Sequence, residues 1–109
     1  MDRYCFTLDL KEDKKLIETY KQYHRSVWPE VKDSLKDVGV INLEIYLLEN
    51  RLFMIMEVDD DFTFEQKRKA DLANSKVQEW EKLMWNFQQA LPWSKAGEKW
   101  VMMDQIFEL

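Results

Sequence analysis

Hydrophobic and polar positions divide this chain into short periodic blocks. Residues 3–10, RYCFTLDL, alternate: Tyr4, Phe6, Leu8 and Leu10 fall on one side, Arg3, Cys5, Thr7 and Asp9 on the other. A period of two predicts a strand with one buried face. From residue 12 the period changes. Leu16, Ile17, Tyr20, Tyr23, His24 and Val27 recur at three- and four-residue intervals and predict a helix over 12–24 with one apolar face. Pro29 ends or bends that helix near Trp28, because its ring fixes φ and restricts the residue before it. A second helical piece over 30–38 turns Val31, Leu35 and Val38 inward, and Gly39 fits a C-terminal cap.

Residues 40–48, VINLEIYLL, read as a strand with Ile41, Leu43, Ile45 and Leu47 on one face and Asn42, Glu44 and Tyr46 on the other. After the turn Glu49-Asn50-Arg51, residues 52–58, LFMIMEV, pair back as a hairpin. The polar break at 59–63 offers Asp61 or Thr63 as a helix cap. A long helix over about 64–91 follows, with an interruption near Asn74-Ser75 and Pro92 as its stop. Its inner stripe is Val77, Trp80, Leu83, Met84 and Phe87. A loop containing Gly97 leads to a last strand over 99–109, KWVMMDQIFEL.

The order β-α-β-β-α-β predicts an α+β, ferredoxin-like split βαβ fold: a four-stranded antiparallel sheet with two helices on one face. The other face carries Asn42, Glu44 and Tyr46 among apolar groups. A mixed face of this kind is buried by a second copy, so the expectation is a two-fold homodimer of the dimeric α+β barrel type.

Composition narrows the function classes. With 109 residues the chain forms one domain, 1–109. Five Trp and six Met are many for this length, and some are expected to line a pocket or an interface. A net charge of −5, with lysines interspersed among acids, counts against a nucleic-acid partner. No apolar run is long enough to span a bilayer, and the first residues lack the apolar centre of a signal peptide. One cysteine, Cys5, excludes an internal disulfide, and one histidine beside it does not make a zinc site. The expectation is a soluble cytoplasmic domain without metal or membrane partner.

The candidate chemistry sits around the single histidine. Tyr20 and His24 are four residues apart, so on a helix they share a face, and that face is the apolar one. Two readings stay open. His24 is a core residue bonded to a tyrosine hydroxyl or a backbone carbonyl, or it is an acid/base, since imidazole titrates near neutral pH unaided. Trp28 reads equally as a buried anchor at a helix end. Trp80, Met84 and Phe87 fit a core stripe or a pocket wall. Glu81 lies one position round from Trp80, as solvated surface or facing a polar ligand.

YKQYHRSVWPE, residues 20–30, resembles a signature of the L-rhamnose mutarotase family: tyrosine, histidine four residues later, and tryptophan-proline-glutamate after a further three. GVINLEIYLL, WEKLM and the closing DQIFEL follow in the family's order, so the resemblance spans nearly the whole chain. It implies a dimer of ferredoxin-like subunits that interconverts the α and β anomers of a 6-deoxy sugar. It further implies that His24 is the catalytic acid, that Tyr20 contacts the sugar and that Trp80 lines the site. Two positions depart from the pattern. The second of two adjacent tryptophans is Glu81 here, and a sugar-contacting tyrosine of the second strand is Leu43. These departures put L-fucose, another 6-deoxy hexose, beside L-rhamnose as substrate.

The implied reaction needs no cofactor. Trp80 and Trp28 would offer flat apolar faces to the sugar, and Glu81 would bind hydroxyls or act as a partner base. The rivals are a cofactor-free monooxygenase of the dimeric α+β barrel type and a non-catalytic sugar-binding module, because one fold hosts many functions.

Overall fold

A computed structural model describes residues 1–109. The chain runs β1 (Asp2–Leu10), α1 (Lys14–Arg25), α2 (Pro29–Asp37), β2 (Val40–Leu48), β3 (Arg51–Val58), α3 (Phe64–Ala73), α4 (Ser75–Trp85), β4 (Gln88–Gln89) and β5 (Val101–Met102). It is the ferredoxin-like α+β plan, with each helical connection broken into two helices.

Local chemistry sets those breaks. Asp13 caps α1, accepting from the amides of Lys15 at 2.9 Å and Leu16 at 3.1 Å. Pro29 is the first residue of α2, where its missing N–H costs nothing. Gly39 follows α2 with φ +101°, and a Cβ there would meet the Asp59 carboxylate at 2.6 Å. Of the two candidate caps for α3, Thr63 serves: its hydroxyl accepts from the Gln66 amide at 3.1 Å. The interruption expected near Asn74-Ser75 is real, because the Asn74 side chain caps α4 through Lys76 and Val77.

The sheet is antiparallel in the order β2-β3-β1-β4, and β5 pairs with β1. β1 and β3 register Tyr4 with Met56, Phe6 with Met54 and Leu8 with Leu52. The helices therefore cover a face carrying these residues, and Leu8, Leu10, Leu52 and Val58 are sealed beneath them. The opposite face is mixed, and its polar groups are tied together. Arg51 donates to Asp9 at 2.8 and 3.2 Å, Asn42 to Glu57 at 3.2 Å, and the Tyr46 hydroxyl to Glu44 at 3.1 Å.

Three sequence expectations need correction. Ile41 does not share a face with Leu43, Ile45 and Leu47. A β-bulge between Val40 and Asn42 turns Ile41 out, 58% exposed, and places Val40 inward opposite Val58. The second long helix ends at Trp85, not Leu91. Its last turn tightens, with Phe87 N–H donating to the Met84 carbonyl at 2.9 Å, and the chain then joins the free edge of β1. Lys11 N–H donates to the Phe87 carbonyl at 2.9 Å, and Gln88 stands opposite Leu10. That edge has unpaired backbone groups, and satisfying them outweighs extending a helix. The last strand is correspondingly short. Only Val101 and Met102 pair, opposite Thr7 and Phe6, so the fourth strand is two fragments on one edge.

Candidate active site

Two packed clusters lie between helices and sheet. One gathers Leu10, Tyr20, Val31, Leu52, Trp80, Met84 and Phe87; the other gathers Val40, Met56 and Val58. A cavity of about 510 Å³ opens between them, within the usual range for small-molecule sites. Its walls include Tyr20, His24, Trp80, Glu81 and Gln88 on one side, and Phe6, Leu43, Ile45, Met54 and Met56 on the other.

Helix α1 positions Tyr20 and His24 one turn apart. The His24 Nδ1 lies 2.8 Å from the Tyr20 backbone carbonyl. A carbonyl only accepts, so Nδ1 carries the hydrogen and Nε2 keeps its lone pair. The imidazole stacks at a tilt on the Tyr20 ring, 4.3 Å between centroids, and stands edge-on to Trp80 at 5.6 Å. Burial among these rings pushes its pKa below 6.5, against a smaller upward effect of the Tyr20 carbonyl. At neutral pH His24 is therefore a neutral base on the cavity wall.

The Tyr20 hydroxyl is buried and accepts a hydrogen bond from the Gln88 amide nitrogen at 3.2 Å. Burial pushes its pKa up to about 12; the Gln88 contact opposes this and the nearby Glu81 charge adds to it. It remains a phenol with its own proton free to donate. Glu81 is clasped from the loop after β4: Lys99 Nζ lies 3.0 Å from both its Oε2 and its backbone carbonyl. Lys99 also sits over the Trp85 ring at 5.0 Å. The Glu81 Oε1 is left without a protein partner.

Of the five residues singled out in the sequence, four share the cavity wall: Tyr20, His24, Trp80 and Glu81. Trp28 does not. Its ring packs edge-on behind Trp80 at 5.2 Å, so it supports the wall rather than forming it. The core and pocket readings of the histidine turn out to be compatible. One nitrogen is bonded to a backbone carbonyl, as in a core residue, and the other is available to the cavity. Sequence reasoning missed Gln88, which it put at the end of a helix, and Trp100 and the clasping Lys99, which it put in a strand.

Residues 3–109 match the family model described as L-rhamnose mutarotase. The chain belongs to the L-rhamnose mutarotase family. The L-fucose mutarotase of Xanthomonas campestris is 45% identical over 111 aligned positions, covering 100% of this chain and 89% of the relative. The L-rhamnose mutarotase of Formosa agariphila is 34% identical over 95 positions, covering 84% and 85%. A crystal structure of an L-rhamnose mutarotase from Formosa agariphila superposes with a TM-score of 0.74 at 26% identity, covering 100% of this chain and 99% of that one. Tetracenomycin F2 cyclase of Streptomyces glaucescens shares the fold alone, with a TM-score of 0.61 at 12% identity. As a member of this family the chain is a sugar mutarotase, an isomerase of ring anomers. That reading takes precedence over the monooxygenase and the non-catalytic module. No helix is long and apolar enough to cross a membrane.

Proposed function

We propose that the chain interconverts the α and β anomers of L-fucose, with L-rhamnose as the second substrate, and that His24 moves the proton. The observation that carries the assignment is the imidazole itself: Nδ1 is tied to the Tyr20 carbonyl, and Nε2 is free at a cavity large enough for a monosaccharide.

The chemistry follows from that tautomer. In the pyranose, O1 and O5 are bonded to the same carbon, so one nitrogen reaches both. Nε2 takes the proton from O1 while the C1–O5 electron pair goes to O5, giving the aldehyde. The imidazolium then returns the proton to O5. Rotation about C1–C2 presents the other carbonyl face, and the steps run backward to the other anomer. His24 is thus base and acid in turn, and the resemblance-based role of acid is its second half. The Tyr20 hydroxyl donates a hydrogen bond to O5 as charge gathers there. Positioned acid–base catalysis of this kind supplies about 10²–10⁴-fold, which suits a reaction that already proceeds in water.

Substrate choice rests on the wall. Trp80 offers an apolar face to the C–H side of the ring, and the Glu81 Oε1 accepts from sugar hydroxyls. A carboxylate in place of a second indole trades stacking for hydrogen bonding, and the L-fucose mutarotase at 45% identity supports the same preference. The subunit is proposed to work as a cytoplasmic homodimer. Tyr46 and Leu48 stand out on the open sheet face, and Ile106, Phe107 and Leu109 are exposed at the C-terminus. An apolar patch of this kind is covered by a second copy. The lone Cys5 has no disulfide partner, in keeping with a reducing compartment.

Saturation-transfer NMR on L-fucose, L-rhamnose, D-galactose and L-arabinose tests the reading. Exchange is expected fastest with L-fucose and lost in a folded His24→Ala variant. A folded His24→Asn variant with full exchange would return the histidine to a purely structural role.

A further inference from the structure

Gln88 is 5% exposed, lies on the cavity wall, and its Oε1 is the single buried side-chain polar atom without a partner. A buried amide oxygen left unpaired costs free energy, and each such atom in a folded protein calls for a physical reason. Turning the amide over does not remove the problem. One end then meets the Tyr20 hydroxyl as before, and the other end is still unpaired. Strand β4 fixes the backbone here: Gln88 pairs with Leu10, and its neighbour Gln89 pairs with Asp9. The side chain thus has one polar end bonded to Tyr20 and the other unpaired beside the cavity.

We infer that the Gln88 side-chain carbonyl is a sugar-binding group that accepts the hydrogen of the 2-hydroxyl, next to the reacting carbon. The inference rests on the mutarotase reading of this cavity. Its position follows from the chain of contacts. The Gln88 amide nitrogen is 3.2 Å from the Tyr20 oxygen, and the Tyr20 ring stacks on His24 at 4.3 Å. A sugar with C1 at His24 Nε2 and O5 at the Tyr20 hydroxyl presents its C2 substituent as the nearest other hydroxyl. Gln88 thus links recognition to catalysis: one amide aims the phenol and holds the ring carbon whose bond to C1 must rotate. L-fucose and L-rhamnose differ in configuration at C2 as well as C4, so a fixed acceptor at C2 also discriminates between them.

The test pairs an enzyme change with a substrate change. Exchange above the spontaneous rate is measured by NMR for L-fucose and 2-deoxy-L-fucose, with the wild type, Gln88→Met, Gln88→Glu and His24→Ala. Wild type is expected to favour L-fucose by roughly tenfold or more in kcat/KM, as when a site built to bond a hydroxyl meets an analogue lacking it. Gln88→Met should lose roughly tenfold on L-fucose, about the worth of one buried hydrogen bond, and clearly less on the 2-deoxy sugar. Gln88→Glu keeps an acceptor and should keep the wild-type preference; it serves alone if the Met variant does not fold. Equal losses on both sugars in Gln88→Met, or no preference in the wild type, would overturn the inference and leave Gln88 as a support for Tyr20. Retained exchange in His24→Ala would instead strike at the mutarotase assignment of the cavity.

Discussion

The two walls of the cavity are built differently. The α1/α4 wall is a web of rings: Tyr20 against Phe87 at 6.1 Å, Tyr23 against Trp80 at 6.3 Å and Phe87 at 5.8 Å, and Trp28 against Trp80 at 5.2 Å. Each contact is edge-on or tilted, the arrangement aromatic quadrupoles favour, and each adds to the area buried. Where β2 and β3 form the other wall there is no such web: Leu43, Ile45 and Met54 are half-buried aliphatic chains. Phe6 of β1 borders them, packed on the Val40, Met56 and Val58 cluster and edge-on to Phe64 at 6.3 Å, which itself meets Tyr4 at 4.8 Å and Phe62 at 5.1 Å away from the base. Every titratable candidate sits on the first wall. Proton transfer needs geometry held within a fraction of an ångström, and rings locked by other rings supply it. An apolar sugar face and a methyl group need only surface, which adaptable side chains provide.

The sharpest way to break this comparison is to truncate one residue on each wall. His24→Ala removes the proposed proton carrier and should lower anomer exchange by about 10²–10⁴-fold, while circular dichroism and thermal melts show an intact fold. Next in size is Tyr20→Phe. It removes the proposed donor to O5 and strips the Gln88 side chain of its one partner, so both kcat and stability should fall. Exchange kinetics are expected to drop roughly tenfold, and urea denaturation to show a loss of about 1–2 kcal/mol. A Tyr20→Phe variant with unchanged kcat would show that the phenol does not act on the reacting oxygen.

Glu81→Trp changes the character of the first wall without touching the proton path. It replaces an acceptor by an indole and should move the kcat/KM ratio from L-fucose toward L-rhamnose. It also releases Lys99 from its 3.0 Å bond to the carboxylate while leaving its bond to the Glu81 backbone. An unchanged ratio would mean that discrimination lies elsewhere, with Gln88 the first place to look. On the aliphatic wall, Leu43→Ala should raise KM a few-fold and leave kcat alone, the pattern of a contact made equally in ground and transition states. A fall in kcat there would erase the distinction between the walls.

This contrast also explains what the sequence could and could not reveal. The strands β1, β2 and β3 and the Tyr20–His24 pair rest on local periodicity, and all appear where periods of two and 3.6 put them. The placement of Trp80 follows from the same periodicity. Gln88 was out of reach, because its role depends on a hydrogen bond to a residue 68 positions away and on a strand that forms only against the edge of β1. Lys99 was hidden for the same reason, being 18 residues from the carboxylate it clasps. The bulge at Ile41 also resisted reading: VINLEIYLL alternates without a break, and only pairing with β3 shows that one residue is extra. Local order wrote the helix that carries Tyr20 and His24; tertiary pairing wrote the contacts that Gln88 makes to Tyr20 and Lys99 to Glu81.

The smallest expected effect is on pH dependence, and its direction is fixed by the burial of His24. The imidazole is held below its ordinary 6.5 chiefly because the rings around it exclude water from the charged form. In the proposed mechanism exchange uses the neutral form, so the activity plateau should extend below pH 6.5 before falling, further than a solvated histidine would allow. Stability follows the same sign. Above pH 6.5 both folded and unfolded chains leave the imidazole neutral, and pH has no effect through this group. Between 6.5 and the depressed folded value, the unfolded chain takes up a proton that the native state refuses. Stability therefore falls as pH falls through that window. The other titratable groups are common to wild type and a His24 variant, so the histidine contribution is isolated by difference. The urea midpoint of wild type minus that of a folded His24→Gln variant should fall as pH is lowered from 7.5 toward 5.5. If that difference rises or stays constant, the ring is not excluded from water, and the wall that carries it is no more rigid than its neighbour.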